Sequence, residues 1–378
     1  KQISFMQIKE VVSKKDRQDF LDVARIVYDD DNHWVCPLDN NIDEIFDPEK
    51  NIFAKEGDYN RWILLDDNLN LIGRVAAFVN RSKAHAYEIP TGGIGFFECI
   101  NDENAAFLLF DQCKKWLIEK KMEAALGPIN FGENDKFWGL LVEGFENPAF
   151  GMQYHKTYYK AFFEAYGFEV FFEQLTNQLL LNKRYPERFY KIAEWILKKP
   201  GYTFKPFSYK NKNQFLNDFV EIYNDAWLDH DNFSPMKYEE IENQIKEAKP
   251  FLVEDFVWFA YFEKEPIGLV VMMPDINPII KRFNGKLNLI NKLRFLYLAK
   301  RRLFTRARMV VMGVKRKYQN KGIESGFFWH MEKVMEKYPE YKEVELSWVG
   351  DFNPKMLALH KALGGTPSKK HITYRLKF

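Results

Sequence analysis

Residues 306–326 read RARMVVMGVKRKYQNKGIESG, and they decide how the rest of the sequence is interpreted. The first nine residues favour a buried strand, and residues 315–322 form a basic loop that ends in glycine. From residue 323 onward apolar side chains recur at spacings of three and four, which predicts a helix. A loop that opens a helix gathers free amides at the positive end of the helix dipole, so this stretch predicts a phosphate site.

The same landmarks occur twice along the chain. An apolar hairpin turns into an Ile-Gly pair in each half, and the two glycines, Gly73 and Gly268, are 195 residues apart. A helix that stops at glycine before a strand also occurs twice, at Gly167 and Gly364, which are 197 residues apart. Two features at nearly one offset indicate an internal duplication.

Length and composition agree with two folded units. The chain has 378 residues, with 46% hydrophobic and 29% charged residues, which excludes a disordered chain or a disulfide-rich miniprotein. A cluster of Pro, Gly and Lys at residues 198–206 marks the boundary, so we expect domains at residues 1–198 and 199–378. The three unpaired cysteines predict small core side chains, and the absence of a long apolar run predicts a cytoplasmic protein.

The order of elements in the second half resembles the GCN5-related N-acetyltransferase (GNAT) superfamily. The segment GPINFGENDKFWGLLVEGFENP, at residues 127–148, resembles bacterial tandem GNAT-like proteins. The superfamily signature is hydrophobic-x-Val at a strand end, then Arg/Gln-x-x-Gly-x-Gly/Ala at a helix start. Here it reads Met312-Gly313-Val314 and then QNKGIE at residues 319–324. The resemblance implies an α/β fold of two tandem domains. Each would have a mostly antiparallel mixed sheet, flanking helices, and splayed fourth and fifth strands.

The resemblance also implies that acetyl-CoA, or another acyl-CoA, binds in the second domain. Backbone amides of the loop would hold the pyrophosphate, and the splayed strands would admit the pantetheine arm. The positions assigned to the cofactor in this way are Met312, Val314, Gln319, Asn320, Lys321, Gly322, Ile323, Ser325 and Asn353.

Glu324 departs from the signature, because a carboxylate stands where the superfamily has a small residue. A carboxylate at the start of a helix competes with a pyrophosphate for the same amides. An ordinary strand-to-helix turn therefore stays open as an alternative. In the first copy, acidic Asp102 and Glu103 follow the fourth strand directly, so we expect them to cap the helix and that copy to bind no CoA.

Two residues are candidates for acid–base chemistry. His360 stands seven residues after Asn353, where the superfamily often carries a thiol-protonating Tyr, and a histidine can transfer a proton near neutral pH. Glu345 lies on the preceding strand and is a candidate base or water anchor for an acceptor amine. Each has an alternative: His360 as a helix residue without a catalytic role, and Glu345 as a surface carboxylate.

Asp229 and Asp231 are candidates for binding a cationic amine, because they precede the second hairpin, where this fold places the walls of the acceptor site. A solvated helix cap explains them equally well. His230 lies between them, but no further ligand has suitable spacing, so no metal site is predicted.

Fourteen Lys and Arg residues and no acidic residue lie between Ile276 and Ile323, although the net charge of the chain is only +2. Three interpretations stay open: attraction of the CoA phosphates, a weak contact of residues 281–308 with an anionic membrane surface, and a solvated face. Within this stretch, residues 287–304 alternate apolar and basic side chains at helical spacing. We expect one face to be packed and the other cationic; no nucleic-acid motif accompanies it.

These observations favour an acyl-CoA-dependent N-acyltransferase, with an acetyl group transferred to a small-molecule or peptide amine by direct attack. Two other hypotheses remain. One is a catalytically silent acyl-CoA sensor or scaffold, and the other is a transferase for aminoacyl or long-chain acyl groups. The sequence does not predict the oligomeric state.

Overall fold

A computed structural model of the chain describes residues 6–228 and 235–378. The described residues form thirteen strands: β1 (Gln7–Glu10), β2 (Asp58–Leu65), β3 (Leu71–Val79), β4 (Thr91–Cys99), β5 (Ala124–Gly127), β6 (Leu140–Glu143), β7 (Glu169–Leu180), β8 (Tyr202–Pro206), β9 (Val257–Phe262), β10 (Glu265–Pro274), β11 (Arg306–Val314), β12 (Glu343–Gly350) and β13 (Thr366–Lys377).

The same ranges contain twelve α-helices: α1 (Lys14–Val27), α2 (Asp39–Ile45), α3 (Ile52–Glu56), α4 (Glu103–Glu119), α5 (Tyr159–Tyr166), α6 (Glu187–Lys198), α7 (Lys212–Ala226), α8 (Tyr238–Ala248), α9 (Asn277–Ile280), α10 (Leu289–Lys300), α11 (Ile323–Met335) and α12 (Pro354–Ala362). The predicted α/β class, with mixed sheets flanked by helices, is confirmed. Strand β11 and the start of α11 lie where the sequence pattern predicted them.

The strands of both halves join in one mostly antiparallel sheet. Their order is β1-β2-β3-β4-β5-β13-β7-β12-β11-β10-β9-β8, and β6 pairs with β13 beside this path. Two pairs are parallel, β4 with β5 and β11 with β12. These are the equivalent fourth and fifth strands of the two halves, so the duplication inferred from the sequence is also visible in the sheet.

The two halves exchange their final strands. Strand β13, from the end of the chain, pairs with β5 of the first half, where Tyr374 lies opposite Gly127. Strand β7, from the first half, pairs with β12 of the second, where Leu180 lies opposite Glu343. Because β7 and β13 also pair with each other, the exchange builds the centre of the continuous sheet.

Polar contacts and packing also connect the halves. The Asn277 side-chain amide donates to the Pro148 carbonyl at 2.6 Å, and the Arg25 guanidinium donates to the Asn284 carbonyl at 3.0 Å. Helix α6, the last helix before the predicted boundary, packs on α11 of the second half. The division at residue 198 stays a prediction, while the sheet itself runs through both halves.

Apolar side chains from the sheet and helices form the cores. Phe97, Phe110 and Phe163 stack together in the first half, and Phe327 and Phe328 on α11 are fully buried in the second. All three cysteines are buried and free, which confirms their interpretation as core side chains. None of the helices in the two described ranges is long and apolar enough to cross a membrane.

Candidate functional site

The parallel strands β11 and β12 separate partway along their length. They pair from Arg306 opposite Glu343 to Met309 opposite Leu346, and the pairing then ends although β11 continues to Val314. The Ser347 hydroxyl donates to the Met309 carbonyl at the point of separation. Beyond this point β11 has no strand partner on the β12 side within the described residues, so a cleft opens between the strands.

A β-bulge in β11 coincides with this separation. On the opposite edge, Val271 of β10 pairs with Val311 and Met272 pairs with Met309, so Val310 is the extra residue. A bulge bends its strand and increases the local twist, which turns the end of β11 away from β12. The ring of Trp227 covers Gly313 so closely that a Cβ there would lie 2.2 Å from it.

The loop between β11 and α11 leaves the start of the helix open. Asn320 and Gly322 have φ values of 61° and 81°, and Gly322 is the N-cap residue. No side chain among the described residues caps this helix, so the amides of its first turn have no capping acceptor from a neighbouring side chain. The positive φ of Gly322 turns the chain into the helix, and the free amides at this end can face an anion.

Ion pairs and hydrogen bonds hold the base of the loop in place. The buried Lys315 ammonium lies 2.5 Å from Glu221 and 3.3 Å from Glu265, and the Tyr318 hydroxyl donates to Glu265 at 2.7 Å. Lys315 is therefore neutralised by these acids and is not available to a ligand. Lys321 extends over the Tyr318 ring at 4.8 Å and remains beside the open helix start.

Glu324 lies in the first turn of α11, as its position in the signature predicts. Its side chain lines the same cavity as the loop. Burial raises the pKa of Glu324 above its ordinary value, and a contact with its own backbone amide partly opposes that rise. The carboxyl group thus competes for an amide of the helix start, and it does so less as it becomes protonated.

A single large cavity of about 3910 Å³ connects the loop, the strand cleft and a loop of the first half. Typical sites for drug-sized ligands enclose about 300–1,000 Å³, so this cavity has room for several such groups. Apolar and aromatic side chains from both halves form much of its lining. Of the predicted site residues it is lined by Met312, Val314, Gln319, Asn320, Lys321, Gly322, Ser325, Asn353 and His360. Ile323 instead packs in the core and is fully buried.

His360 lines the cavity from α12 but is itself almost fully buried. Its Nδ1 lies 3.3 Å from the side-chain amide of Asn177 on β7. Burial lowers the pKa of His360 to about 4, so the ring is neutral at physiological pH. A neutral ring holds no extra proton to give to a thiolate, which argues physically against the general-acid role predicted for it.

Glu345 lies outside the cavity lining, in a buried ion cluster. Its carboxylate is 3.4 Å from the Lys369 ammonium and within 4 Å of Arg306 and Arg308. Burial favours the neutral form, but Lys369 and the two arginines hold the pKa of Glu345 below its ordinary value. The alternative of a surface carboxylate is wrong. The cluster also gives Glu345 a structural explanation, and it separates the carboxylate from the cleft where an amine would react.

Several acidic residues of the first half line the cavity without having been singled out from the sequence, and two of them lie close together on one loop. Glu133 and Asp135, on the loop after β5, line it together with Tyr223 of α7. Asp135 is exposed to the solvent of the cavity, and desolvation by the protein around it raises its pKa above the ordinary value. Burial, followed by the charges of Glu133 and Asp135, raises the pKa of Tyr223 to about 12. Tyr223 in turn stacks on Trp227, whose ring lies against Gly313 in the strand cleft.

Asp135 therefore shares one cavity with the opening between β11 and β12. The only sequence signal was its segment, GENDKFW, which the tandem resemblance had already marked without assigning a role. The predicted amine-binding residues Asp229 and Asp231 lie outside the described residues, so their role stays a prediction.

The corresponding part of the first half is closed. Past the paired residues of β4 and β5, the Ile129 amide donates to the Ile94 carbonyl at 2.9 Å. The rings of Phe78 and Phe131 stack at 4.8 Å and fill the space beside it. Asp102 caps α4 by accepting from the amides of Asn104 and Ala105, as predicted.

These features define the class of fold: the chain has the tandem GNAT fold. It superposes on a tandem GNAT protein from the clavulanic acid biosynthesis pathway with a TM-score of 0.58 and 10% identity, covering 99% of this chain and 98% of that one. It also superposes on a GCN5-related N-acetyltransferase from Sphaerobacter thermophilus with a TM-score of 0.54 and 9% identity, covering 98% and 95%. The resemblance to this superfamily is confirmed as a fold.

Relatives recognised by sequence extend over nearly the whole chain. A bacterial ceramide synthase from Caulobacter vibrioides is 26% identical over 352 residues, which are 91% of this chain and 90% of the relative. The protein YghO from Escherichia coli is 24% identical over 388 residues, covering 97% of this chain and 94% of that protein. No protein-family model matches the chain.

Proposed function

We propose that this chain is an acyl-CoA-dependent N-acyltransferase that joins a long fatty acyl group to the amino group of a long-chain amino lipid. One observation carries the proposal. The uncapped start of α11 leads through the cleft between β11 and β12 into a cavity of about 3910 Å³ with a largely apolar lining. The anionic head of an acyl-CoA matches the helix start, and its narrow arm matches the cleft. The acyl chain and the hydrocarbon chain of the amino lipid match the apolar cavity.

The residues at the helix start suit a diphosphate. Open amides at Gly322 and the following residues, with the helix dipole behind them, supply a partial positive charge. Lys321 adds a full charge that no acid neutralises among the described residues. The cofactor positions predicted from the sequence, apart from the buried Ile323, are assigned to this ligand.

The cleft supplies the geometry for the acyl group. When bound, an acyl-CoA would supply a thioester carbonyl carbon, to which the neutral amine nitrogen would bond while the C–S bond breaks. The nitrogen would lose one proton as the amide forms, and the leaving thiolate would gain one and become a thiol. The exposed backbone edge of β11 beyond Met309 is suited to hold a carbonyl group by hydrogen bonding. The chain's main contribution is to hold the two reactants together.

Asp135 is assigned the role of base in this proposal. An amine enters as an ammonium ion at neutral pH and must lose a proton before its nitrogen can attack. The carboxylate of Asp135 attracts the ammonium, whereas Glu133 is already paired with Lys83 at 2.7 Å. The raised pKa of Asp135 makes it a better proton acceptor than an ordinary aspartate. The proton moves from the ammonium nitrogen to a carboxylate oxygen of Asp135.

Two observations favour long chains over an acetyl group. Aromatic side chains from both halves line the cavity, among them Phe172, Phe219, Phe251, Trp348 and Phe352. An acetyl group would leave most of this apolar surface in contact with water. The name of the relative from Caulobacter vibrioides states that it makes ceramide, which is an N-acylated long-chain amino alcohol.

Calorimetry with a series of saturated acyl-CoAs, each below its micelle concentration, tests the cofactor assignment. We expect affinity to increase with chain length from acetyl-CoA upward. Mass spectrometry then tests turnover, with sphinganine as a long-chain amine and glucosamine as a polar amine. Amide formation on sphinganine alone would support the proposal, whereas acetylation of the polar amine with no preference for long chains would contradict the lipid assignment.

Glu324 favours one competing function, a catalytically silent acyl-CoA sensor, because its carboxyl group contacts an amide of the helix start. Tight binding of a long-chain acyl-CoA without any amide product over a broad panel of amines would support that function. The same result would overturn the role given to Asp135.

A further inference from the structure

Helix α10 exposes an unusual number of large apolar side chains. The exposed fractions of Leu289, Ile290 and Leu293 are 73%, 74% and 61%, and Leu296 and Tyr297 are each more than half exposed. The helix also has a packed face, formed by Phe295 and Leu298 against the core.

The exposed apolar side chains lie on the side of α10 that is opposite the packed face. Positions 289, 293, 296 and 297 are separated by three, four and seven or eight residues, so they share one helix face. A helix with one packed face normally presents polar residues to water. The cationic outer face expected from the sequence is therefore wrong: the outer face is apolar, and the cations lie beside it.

Basic side chains border this apolar face. Lys292 and Arg294 flank it along α10, Lys300 lies at its C-terminal end, and Arg282 precedes the helix. All four are exposed, and none of them forms an ion pair with any residue in ranges 6–228 and 235–378. Other cations of this stretch, such as Lys286 and Arg302, are paired with acids from elsewhere in the fold, so these four supply the unpaired positive charge beside the apolar face.

We infer that α10 docks on the surface of a bilayer that contains anionic phospholipids. Its outer face, formed by Leu289, Ile290, Leu293, Leu296 and Tyr297, inserts among the acyl chains at the interface, while the flanking cations contact lipid phosphates. An apolar face bordered by Lys and Arg is the pattern of helices that lie in the plane of a membrane. Charge complementarity selects an anionic lipid surface over a neutral one.

The cavity reaches the same helix. Leu287, Lys292, Phe295 and Leu296 line it, and Leu296 is also half exposed on the docking face. A lipid at the membrane surface can therefore enter the cavity at this edge while its chains remain in contact with apolar side chains. This second step rests on the proposed function, whereas membrane docking itself does not.

Vesicle sedimentation tests the docking step without any measurement of activity. The full chain is mixed with vesicles of equal parts phosphatidylcholine and phosphatidylglycerol, or of phosphatidylcholine alone. We expect binding only to the anionic vesicles, and we expect it to weaken as salt is raised. Leu293→Glu should lower the partition coefficient by about tenfold or more, because a charge replaces apolar area that would enter the interface.

Ile118→Glu is the matched control, because Ile118 is an exposed apolar residue (47%) on a helix of the first half. It should leave vesicle binding unchanged, and thermal unfolding of both variants should match that of the original chain. Lys292→Gln combined with Arg294→Gln should weaken binding to anionic vesicles and reduce its salt dependence.

Two results would overturn the inference. One is equal vesicle binding by the Leu293→Glu variant and the original chain. The other is sedimentation equilibrium showing a dimer that Leu293→Glu dissociates, with no vesicle binding by either protein, which would assign the face to a second copy. Failure of the proposed function is a separate result: vesicle binding would persist while no amide forms in detergent or on vesicles.

Discussion

The regions around the fourth and fifth strands have the same topology in the two halves. The region is closed in the first half and open in the second. In the first half, Ile129 bonds to Ile94 beside β5, aromatic rings fill the space, and Asp102 satisfies the amides at the start of α4. In the second half, pairing of β11 and β12 stops at Met309, and the start of α11 has no capping side chain among the described residues.

The difference teaches that this fold is stable with or without a ligand cleft. A closed strand pair and a capped helix bury more apolar surface and satisfy more backbone amides than an open pair and an uncapped helix. The open region is therefore expected to be locally less stable than the closed one, and such a loss of stability is expected at a functional site. The closed half still contributes to function, because its loop with Asp135 reaches the shared cavity.

Gly322→Trp is expected to have the largest effect on this comparison. The indole would occupy the position of an anion at the helix start, and a Cβ at φ +81° would also lie 2.6 Å from Ile192. We expect CoA affinity to fall by roughly a hundredfold, about 2.7 kcal/mol, in calorimetry. The original chain should bind one CoA per chain, and two per chain would show that the closed half also binds.

Gly167→Trp is the control for that variant. Gly167 also has a positive φ, +104°, but a Cβ there would meet nothing within 4 Å. This control reproduces the strain of a side chain at positive φ, without the clash with Ile192 and away from the ligand site, so CoA affinity should not change. Unaltered binding by Gly322→Trp would contradict the assignment of the second half.

Asp135→Asn tests whether the closed half takes part in the reaction. We expect kcat/KM to fall by about a hundredfold, at the lower end of the range for loss of a general base. Glu44→Gln, which removes another carboxylate that lines the cavity, should have little effect.

The pH profile gives a second readout for Asp135. Desolvation in the cavity raises its pKa, and the protonated form accepts no proton. As pH falls, activity should therefore be lost at a higher pH than for an ordinary aspartate. The Asn variant should lack this decrease. If the pH profile of the Asn variant equals that of the original chain, Asp135 has a structural role and is not the base.

Asp102→Ala separates capping from closure in the first half. Loss of the side chain that accepts from Asn104 and Ala105 should lower the free energy of unfolding by about 1 kcal/mol in urea. No second CoA should bind, because the strands next to the helix remain closed by the Ile129–Ile94 hydrogen bond. Binding of a second CoA by this variant would show that helix capping is the only feature that keeps the first half from binding CoA.

Glu324→Ala should have the smallest effect. Removing a carboxyl group that contacts an amide of the helix start should tighten CoA binding by roughly threefold. In the original chain affinity should rise as pH falls through the raised pKa of Glu324, since the neutral carboxyl competes less; the Ala variant should lose this component. Glu103→Ala, at the equivalent turn of α4, is the control and should leave affinity unchanged.

The sequence predicted those features that depend on neighbouring residues. Strand β11, the start of α11 and the Asp102 cap all follow from local spacing and residue chemistry. The duplication was visible because both copies keep the same glycines at nearly one offset.

Features that depend on distant residues were not predictable. Alternation along β12 showed that Glu345 has a defined face, but not that Lys369 and two arginines lie against it. Asp135 is one acid among 53, and only the folded cavity raises its pKa. The apolar and basic pattern of α10 indicated two faces, but it did not show which of them packs against the core.

The exchange of the final strands, β7 and β13, between the two halves has a consequence for folding during synthesis. Residues 366–377 are translated last among the described strands. They nevertheless pair with β5 of the first half, near the middle of the sheet. Until they leave the ribosome, the edge of β5 stays open to pairing with other chains. The sheet of the first half is therefore complete beside β5 only after residues 366–377 have been made, so folding of the first half depends on a strand from the second.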